Sequence, residues 1–284
     1  MLNALTIDLE DYFMVSAFAG VIKFEEWPGY KSRLEMNTHR ILDLLDEHGV
    51  KATFFALGWV AEHQPKLIRE IHCRGHEVAC HGYNHQLAYD LSLKEFHEDI
   101  RKSKSLIEDV TGMGVIGYRA ASYSVIKRSL WVLDILIEEG FLYDSSIFPI
   151  YHDRYGYPGF NRFPVSISRK GFGEILEVPL STIRILGKNI PIAGGGYLRL
   201  LPIRFVEWGI NILNNKESQP AIIYFHPWEI DAAQPRLNGS RISSFRHYIN
   251  LDKTYVKIKR LLETFQFAPI NEVFASKLKA QPIS

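Results

Sequence analysis

The stretch Ala4-Leu5-Thr6-Ile7-Asp8-Leu9-Glu10-Asp11 decides the fold, because an apolar β-forming run ends abruptly in three carboxylates, Asp8, Glu10 and Asp11. Such a run reads as a buried strand over Ala4 to Leu9 whose end meets a polar surface. A helical pattern follows from Asn37, the expected N-cap, through Ile41, Leu42, Leu44 and Leu45 to Gly49. A second strand is expected at Ala52-Thr53-Phe54-Phe55-Ala56-Leu57. Pro65 then opens a helix through Leu67, Ile68 and Ile71, and Glu77-Val78-Ala79-Cys80-His81 is the third strand.

The alternation continues to the far end of the chain. Ser92 and Glu95 form a capping box for a helix that runs to Thr111 and stops before Gly112. A short strand ends at Arg119, a helix spans about Leu130 to Glu139, and Phe141-Leu142-Tyr143 leads to Asp144. Ile150 to Lys170 is expected to be loop, and Gly194-Gly195-Gly196 marks a turn or a tight backbone approach. Strands are expected at Ile175 to Val178 and Ala221 to Phe225, with a helix from about Ile203 to Leu213 between them. A loop from Pro227 to Asp252 leads to a helix near Val256 to Phe265 and a terminal strand at Ala268-Pro269-Ile270.

About seven or eight βα units in succession predict an α/β fold, a single-domain distorted (β/α) barrel, with a doubly wound open sheet as the competing arrangement. The domain is expected to fill residues 1–284, with 227–284 as a C-terminal extension packed on the barrel. The hydrophobic fraction of 46% and aromatic fraction of 13% suffice for a large core. Lys and Arg total 33 against 32 Asp and Glu, so no net field draws nucleic acid or another polyanion. The first residues lack a basic leader and no apolar run reaches a membrane span, so neither a secretory signal nor a transmembrane segment is expected. Two cysteines, Cys73 and Cys80, suit free thiols, and a cytoplasmic location is the expectation.

Polar residues that bind metals or move protons collect where the strands end: Asp8, His81, Arg119, Asp144 and His226. In either fold these ends share one face, so the five are expected around one opening. His81-Gly82-Tyr83-Asn84-His85 sets two imidazoles four residues apart, a spacing that reaches one cation if the segment turns. With 11 His in the chain, about 0.4 such pairs are expected by chance, so the pair needs a third ligand to mean anything. Asp8-Leu9-Glu10-Asp11 supplies candidates. In extended chain Asp8 and Glu10 share a face and Asp11 points elsewhere, which favours the first two as a base and a ligand. Two imidazoles and a carboxylate leave open positions on a divalent ion, as in hydrolytic zinc sites. No Gly-x-Ser-x-Gly elbow, P-loop or dinucleotide fingerprint is present. Tyr12 and Trp228 adjoin these residues and are candidates to stack on a sugar ring.

These motifs resemble those of the polysaccharide deacetylase family, the carbohydrate esterases with a NodB-homology domain. The resemblance runs from Thr6 to about Pro227. Thr6-Ile7-Asp8-Leu9-Glu10-Asp11 resembles the first motif, which implies Asp8 as general base and Glu10, or Asp11, as the acidic metal ligand, since the usual adjacent acidic pair is spread out here. His81 to His85 matches the second motif, the metal histidines. Gly117-Tyr118-Arg119-Ala120-Ala121-Ser122-Tyr123 is similar to the third, which walls the groove and gives a backbone N–H near Tyr123 to the oxyanion. Ala121 stands where the family has Pro, a change expected to loosen that loop. Tyr143-Asp144-Ser145-Ser146 resembles the fourth motif, and Tyr224-Phe225-His226-Pro227 the fifth, with His226 as general acid. The run from His226 to Asp231 and Gln234-Pro235-Arg236 are similar to a subgroup tied to exopolysaccharide gene clusters or intracellular peptidoglycan-type deacetylation.

The resemblance implies removal of N-acetyl groups from an N-acetylated glycan, free or lipid-linked, with one divalent metal ion, zinc first. The implied site has Asp8, His226 and Arg119 in catalysis, Glu10, Asp11, His81 and His85 around the metal, and Tyr12, Tyr123, Asp144 and Trp228 on the substrate. A homo-oligomer stays open. Two other functions fit the same residues: a different amide hydrolase, allantoinase-like, and a catalytically silent carbohydrate-binding protein.

Overall fold

Strand β1 (Leu2–Leu9) is buried at every position from Asn3 to Leu9, and its alternate residues serve two different environments. Leu5, Ile7 and Leu9 join a large apolar cluster with the helices, whereas Ala4 belongs to a second cluster on the opposite side with Phe55, Tyr143, Ile222 and Tyr224. Thr6 and Asp8, sharing the parity of Ala4, are polar residues on that second side. The computed structural model describes residues 1–279; residues 280–284, the end of the expected extension, lie outside them.

Around β1 the sheet grows by successive parallel pairing. β2 (Thr53–Ala56), β3 (Glu77–Cys80), β4 (Gly117–Tyr118) and β5 (Tyr143–Asp144) follow one another on one side. Beyond β5 lies an antiparallel pair, β6 (Val165–Arg169) and β7 (Gly173–Glu177), of which β7 runs parallel to β5. The hairpin β8 (Thr182–Ile185) and β9 (Lys188–Pro191) forms a separate sheet. β10 (Ile222–Phe225) pairs with β1, and so does β11 (Gln266–Ala268). Consecutive strands advance in one direction with no reversal of order, the winding of a (β/α) barrel rather than of a doubly wound sheet.

Among the described residues no ladder joins β7 to β10, and single hydrogen bonds carry the chain across that interval instead. Leu180 N–H donates to Ile147 O (3.2 Å), Ile192 N–H to Ser181 O (3.2 Å) and Tyr224 N–H to Ala193 O (2.8 Å). Ser181 Oγ accepts from Ile222 N–H at 2.7 Å. The barrel is thus distorted where irregular backbone replaces a strand.

Helices α1 (Leu34–Glu47), α2 (Gly58–His63), α3 (Pro65–Cys73), α4 (Leu93–Thr111) and α5 (Val132–Glu138) lie between the early strands. α6 (Gly195–Leu200), α7 (Ile203–Asn211), α8 (Arg241–Tyr248) and α9 (Leu251–Thr264) follow in the second half. The capping box on α4 forms as its sequence predicts, and Gly112 ends it at φ 70°. α1 begins three residues before Asn37, which lies buried within the helix instead of capping it. Its first amides, Arg33 N–H and Leu34 N–H, donate to the Asp11 carboxylate at 2.8 and 3.2 Å.

The second half departs further from expectation. β6 lies inside the segment read as loop, because its alternation of exposed and half-buried residues carries too few apolar side chains to register. The β8–β9 turn uses Leu186 and Gly187, both at positive φ, in place of the Asn-Gly pair that signals such hairpins. α8 occupies part of the expected loop after Pro227, and the last strand ends at Ala268 rather than continuing to Ile270. Among the described residues no helix is long and apolar enough to cross a membrane.

Gly194 is the tight backbone approach that its sequence suggests: at φ 149° it bridges to Tyr224, and an added Cβ would lie 1.7 Å from Tyr224 O. Gly194→Ala is therefore expected to lower unfolding free energy by about 2–4 kcal/mol in urea titrations. A loss below the error of the titration would show that the irregular closure is not needed for stability.

Candidate active site

The strand register levels the carboxyl ends, pairing Asp8 with Phe55, Ala56 with Cys80 and Tyr118 with Asp144. His81 follows β3 directly, and its N–H is held by Ala56 O at 2.9 Å. The chain then turns at Gly82, φ 75°, while Asp99 accepts the Tyr83 N–H at 3.1 Å. His85 adopts φ 58°, a conformation that non-glycine residues take at a cost. The turn brings the His81 and His85 rings to 5.4 Å between centroids. Glu10 completes the group: one ligand atom from each of Glu10, His81 and His85 lies within 4.8 Å of the others.

Two observations test whether this group fits a cation. His81 Nδ1 faces Arg119 O at 2.7 Å, and a carbonyl only accepts, so Nδ1 carries the proton and Nε2 keeps a lone pair. Glu10 Oε2 is 3.0 Å from His85 Nε2 yet makes no hydrogen bond among the described residues. A buried oxygen and nitrogen that approach without bonding are what two ligands of one ion present. Burial pushes the His81 imidazole down to about 4, with Asp8 opposing, so it is neutral at pH 7. Burial would raise Glu10, but His85 and His226 outweigh it and hold the carboxyl at about 2. The donor set fits a divalent cation.

Asp8 sits beside this group, fixed by the wholly buried Arg119. Arg119 Nη1 donates to Asp8 Oδ1 at 2.6 Å and Thr6 Oγ1 at 2.8 Å, while Nε and Nη2 donate to Ser145 O and Oγ at 3.1 and 3.0 Å. Asp8 Oδ2 accepts from the Tyr123 hydroxyl at 3.2 Å. Burial alone would raise the Asp8 carboxyl; Arg119, then His81 and His226, hold it below the usual range. His226 faces the carboxylates, its Nε2 3.1 Å from Glu10 Oε1 and 3.8 Å from Asp8 Oδ2. On its other side Nδ1 contacts Glu229, whose second oxygen accepts from Arg199 Nε at 3.0 Å. Against the effect of burial, Glu10, Glu229 and Asp8 raise the imidazole to about 9. A cavity of about 400 Å³ opens over Asp8, Glu10, His81, His85, Tyr123 and His226.

Four expected residues stand elsewhere or act otherwise. Asp11, past the end of β1, takes up the first amides of α1, so it does not join the cation group. Tyr12 is buried with its ring 5.2 Å from Phe13 and its hydroxyl toward Lys31 O, and it does not line the cavity. Asp144 is fully buried against Ser146 and Glu177, behind Arg119 and outside the cavity lining. Trp228 lines the cavity, but its ring already stacks on His247, at 4.1 Å, and on His226, at 5.2 Å. Its buried Nε1–H has no partner among the described residues.

The loop after Arg119 also differs from expectation. Tyr123 N–H donates to Ala120 O at 3.1 Å, so that amide is not free for an oxyanion. Ser122 and Tyr123 both take positive φ, 49° and 55°, and the loop is held by Ser122 Oγ to Ser16 Oγ (2.8 Å) and Ala120 N–H to Ser146 Oγ (2.7 Å). Sequence reasoning missed Glu229 and Arg199. The signal for Glu229 was its place three residues after His226, on one face of a helical turn; nothing local marked Arg199.

Comparison with known proteins bears on what this site belongs to. Residues 21–134 match the polysaccharide deacetylase family, and residues 145–275 match a domain of unknown function, DUF3473. A peptidoglycan deacetylase of Helicobacter pylori is 33% identical over 115 residues, 40% of this chain and 38% of that protein. A chitooligosaccharide deacetylase of a Bradyrhizobium species is 31% identical over 99 residues, 35% of this chain and 43% of that one. The chain thus spans about two fifths of the length of these curated relatives. Among solved structures, a protein of Mycobacterium smegmatis assigned as a polysaccharide deacetylase superposes with a TM-score of 0.60 at 21% identity, covering 99% of this chain and 92% of that one. An allantoinase superposes with a TM-score of 0.63 at 14% identity, covering 99% and 91%. At these identities the structures bear on the fold, an α/β arrangement shared with such neighbours, while the sequence matches bear on descent. Residues 21–134 are thus similar to the polysaccharide deacetylase family, over about two fifths of the chain.

Proposed function

We propose that the protein is a metal-dependent hydrolase that removes N-acetyl groups from an N-acetylated polysaccharide or oligosaccharide, in exopolysaccharide or cell-wall glycan synthesis. The observation that carries the proposal is the convergence in one cavity of Glu10, His81 and His85 with the carboxylate of Asp8 and the imidazole of His226. The peptidoglycan and chitooligosaccharide deacetylases among its relatives support the choice of substrate. The whole chain works as one unit, since β11 pairs with β1 and Glu229 reaches His226. The free thiols of Cys73 and Cys80 suit a cytoplasmic setting.

Glu10, His81 and His85 would hold the cation, and zinc suits a set of two imidazoles and one carboxylate. Such an ion, when bound, polarises the acetamide carbonyl and makes water more acidic. Asp8, kept ionised by Arg119, takes a proton from the attacking water as its oxygen adds to the carbonyl carbon. His226 gives its Nε2 proton to the nitrogen as the C–N bond breaks, releasing acetate and a free amino sugar. Glu229 on Nδ1 keeps the ring turned so that Nε2 faces the cavity. Arg119 and Glu229 position the two proton-transfer groups.

Asp8→Asn is expected to cut acetate release by about 10²- to 10⁴-fold with metal content unchanged. His81→Ala with His85→Ala should abolish metal, read by elemental analysis of the purified protein. Glu10→Gln should weaken metal binding, whereas Asp11→Asn should keep the metal and cost about 1 kcal/mol of stability through the α1 start. Wild-type protein without stoichiometric metal, together with full activity in the double histidine variant, would sink the proposal. Release of product from small cyclic amides but not from N-acetylglucosamine oligomers would favour an allantoinase-like activity.

A further inference from the structure

Helix α8 is built inside out. Its inward side carries the polar Ser243 and His247, while Ile242 and Phe245 are 66% and 59% exposed. The remaining outward residues are Arg241 and Arg246, both exposed. At 3.6 residues per turn the order around the exposed face is Arg241, Phe245, Ile242, Arg246, an apolar pair between two guanidinium groups. Exposed apolar side chains over a buried polar face call for a partner that covers them.

Charge indicates the nature of that partner. The chain as a whole balances 33 cations with 32 acids, yet from Ala232 to Leu251 it contains Arg236, Arg241 and Arg246 and no Asp or Glu. Arg246 meets Asp153 at 3.2 Å, and two residues before that acid Tyr151 is 89% exposed. Leu200, 46% exposed, lines the catalytic cavity together with Arg246 and His247. Ile242 and Phe245 on α8, the long basic stem of Arg241 that can lie along them and the amphipathic ring of Tyr151 on a separate loop make a surface suited to a lipid headgroup layer.

We propose that the outward face of α8 docks on an anionic lipid surface, with Ile242 and Phe245 entering the headgroup boundary and Arg241, which has no acidic partner within the described residues, on its phosphates. Docking there brings the cavity mouth to the membrane and favours an amphiphilic substrate, a glycan carried on a lipid. That last step rests on the deacetylase reading of the cavity; the docking itself does not.

The test is flotation of the full chain with vesicles of equal parts phosphatidylcholine and phosphatidylglycerol, against vesicles of phosphatidylcholine alone. The chain should float with the anionic vesicles only. Ile242→Ser with Phe245→Ser should weaken that binding by at least about tenfold, and Arg241→Gln by about fivefold. Both variants should release acetate from soluble N-acetylglucosamine oligomers at the wild-type rate, which shows that the fold and cavity survive. Absence of wild-type flotation, or equal flotation of the double variant, overturns the proposal. So does a concentration-dependent dimer in ultracentrifugation that the double variant loses, since the face would then belong to a second copy. Vesicle binding without acetate release from any glycan would leave docking standing and refute the deacetylase reading.

Discussion

A guanidinium with no exposed surface stands at the centre of the molecule, and both fold and site depend on it. Arg119 follows β4, donates to Thr6 and Asp8 of β1 and to Ser145 beyond β5, and offers its own carbonyl to His81 beyond β3. Its plane lies over the Phe55 ring of β2 at 4.1 Å. Burying such a charge costs several kcal/mol unless every donor is answered, and removing one partner of a buried pair typically costs about 3–5 kcal/mol. The strand ends must therefore stay level, and that levelling is what assembles the cavity.

The same economy governs the two sides of β1. Odd-numbered Leu5, Ile7 and Leu9 pack toward helices, and even-numbered Thr6, Asp8 and Glu10 face polar partners, so a slip of one residue would bury the carboxylates in apolar surroundings. Behind Arg119 the carboxyls of Asp144 and Glu177 meet with no exposed surface. Burial raises both, Asp144 to about 6, and their proximity favours holding one proton between them. Asp144 thereby serves the interior and not the substrate.

Much of this was legible in residue order. Buried parallel strands announce themselves as apolar runs, so β1, β2, β3 and β10 were placed within a residue or two, and the parity of Asp8 and Glu10 followed from extended geometry. What escaped lacks a local signature. The polar alternation of β6, the Leu186-Gly187 turn and the inverted α8 are set by what packs against them. The ring of Trp228 is claimed by His247, a residue from an element that the sequence left as loop. Asp11 joins the expected ligands only through the family resemblance, and what takes it out of the group, the open amides of α1, has no mark in the sequence around it.

The two-sided pairing of β1 also orders events during synthesis. β2 becomes available soon after β1, but the partners on β1's remaining hydrogen-bonding groups, β10 and β11, lie more than 200 residues later, as the contact between Thr6 Oγ1 and Ile223 O across 217 positions records. Until those segments leave the ribosome, an apolar strand with an unsatisfied edge waits beside a half-built interior. Ribosome-associated chaperones that shield such an edge would therefore matter more to the yield of this protein than to that of a domain whose early strands pair with their sequence neighbours.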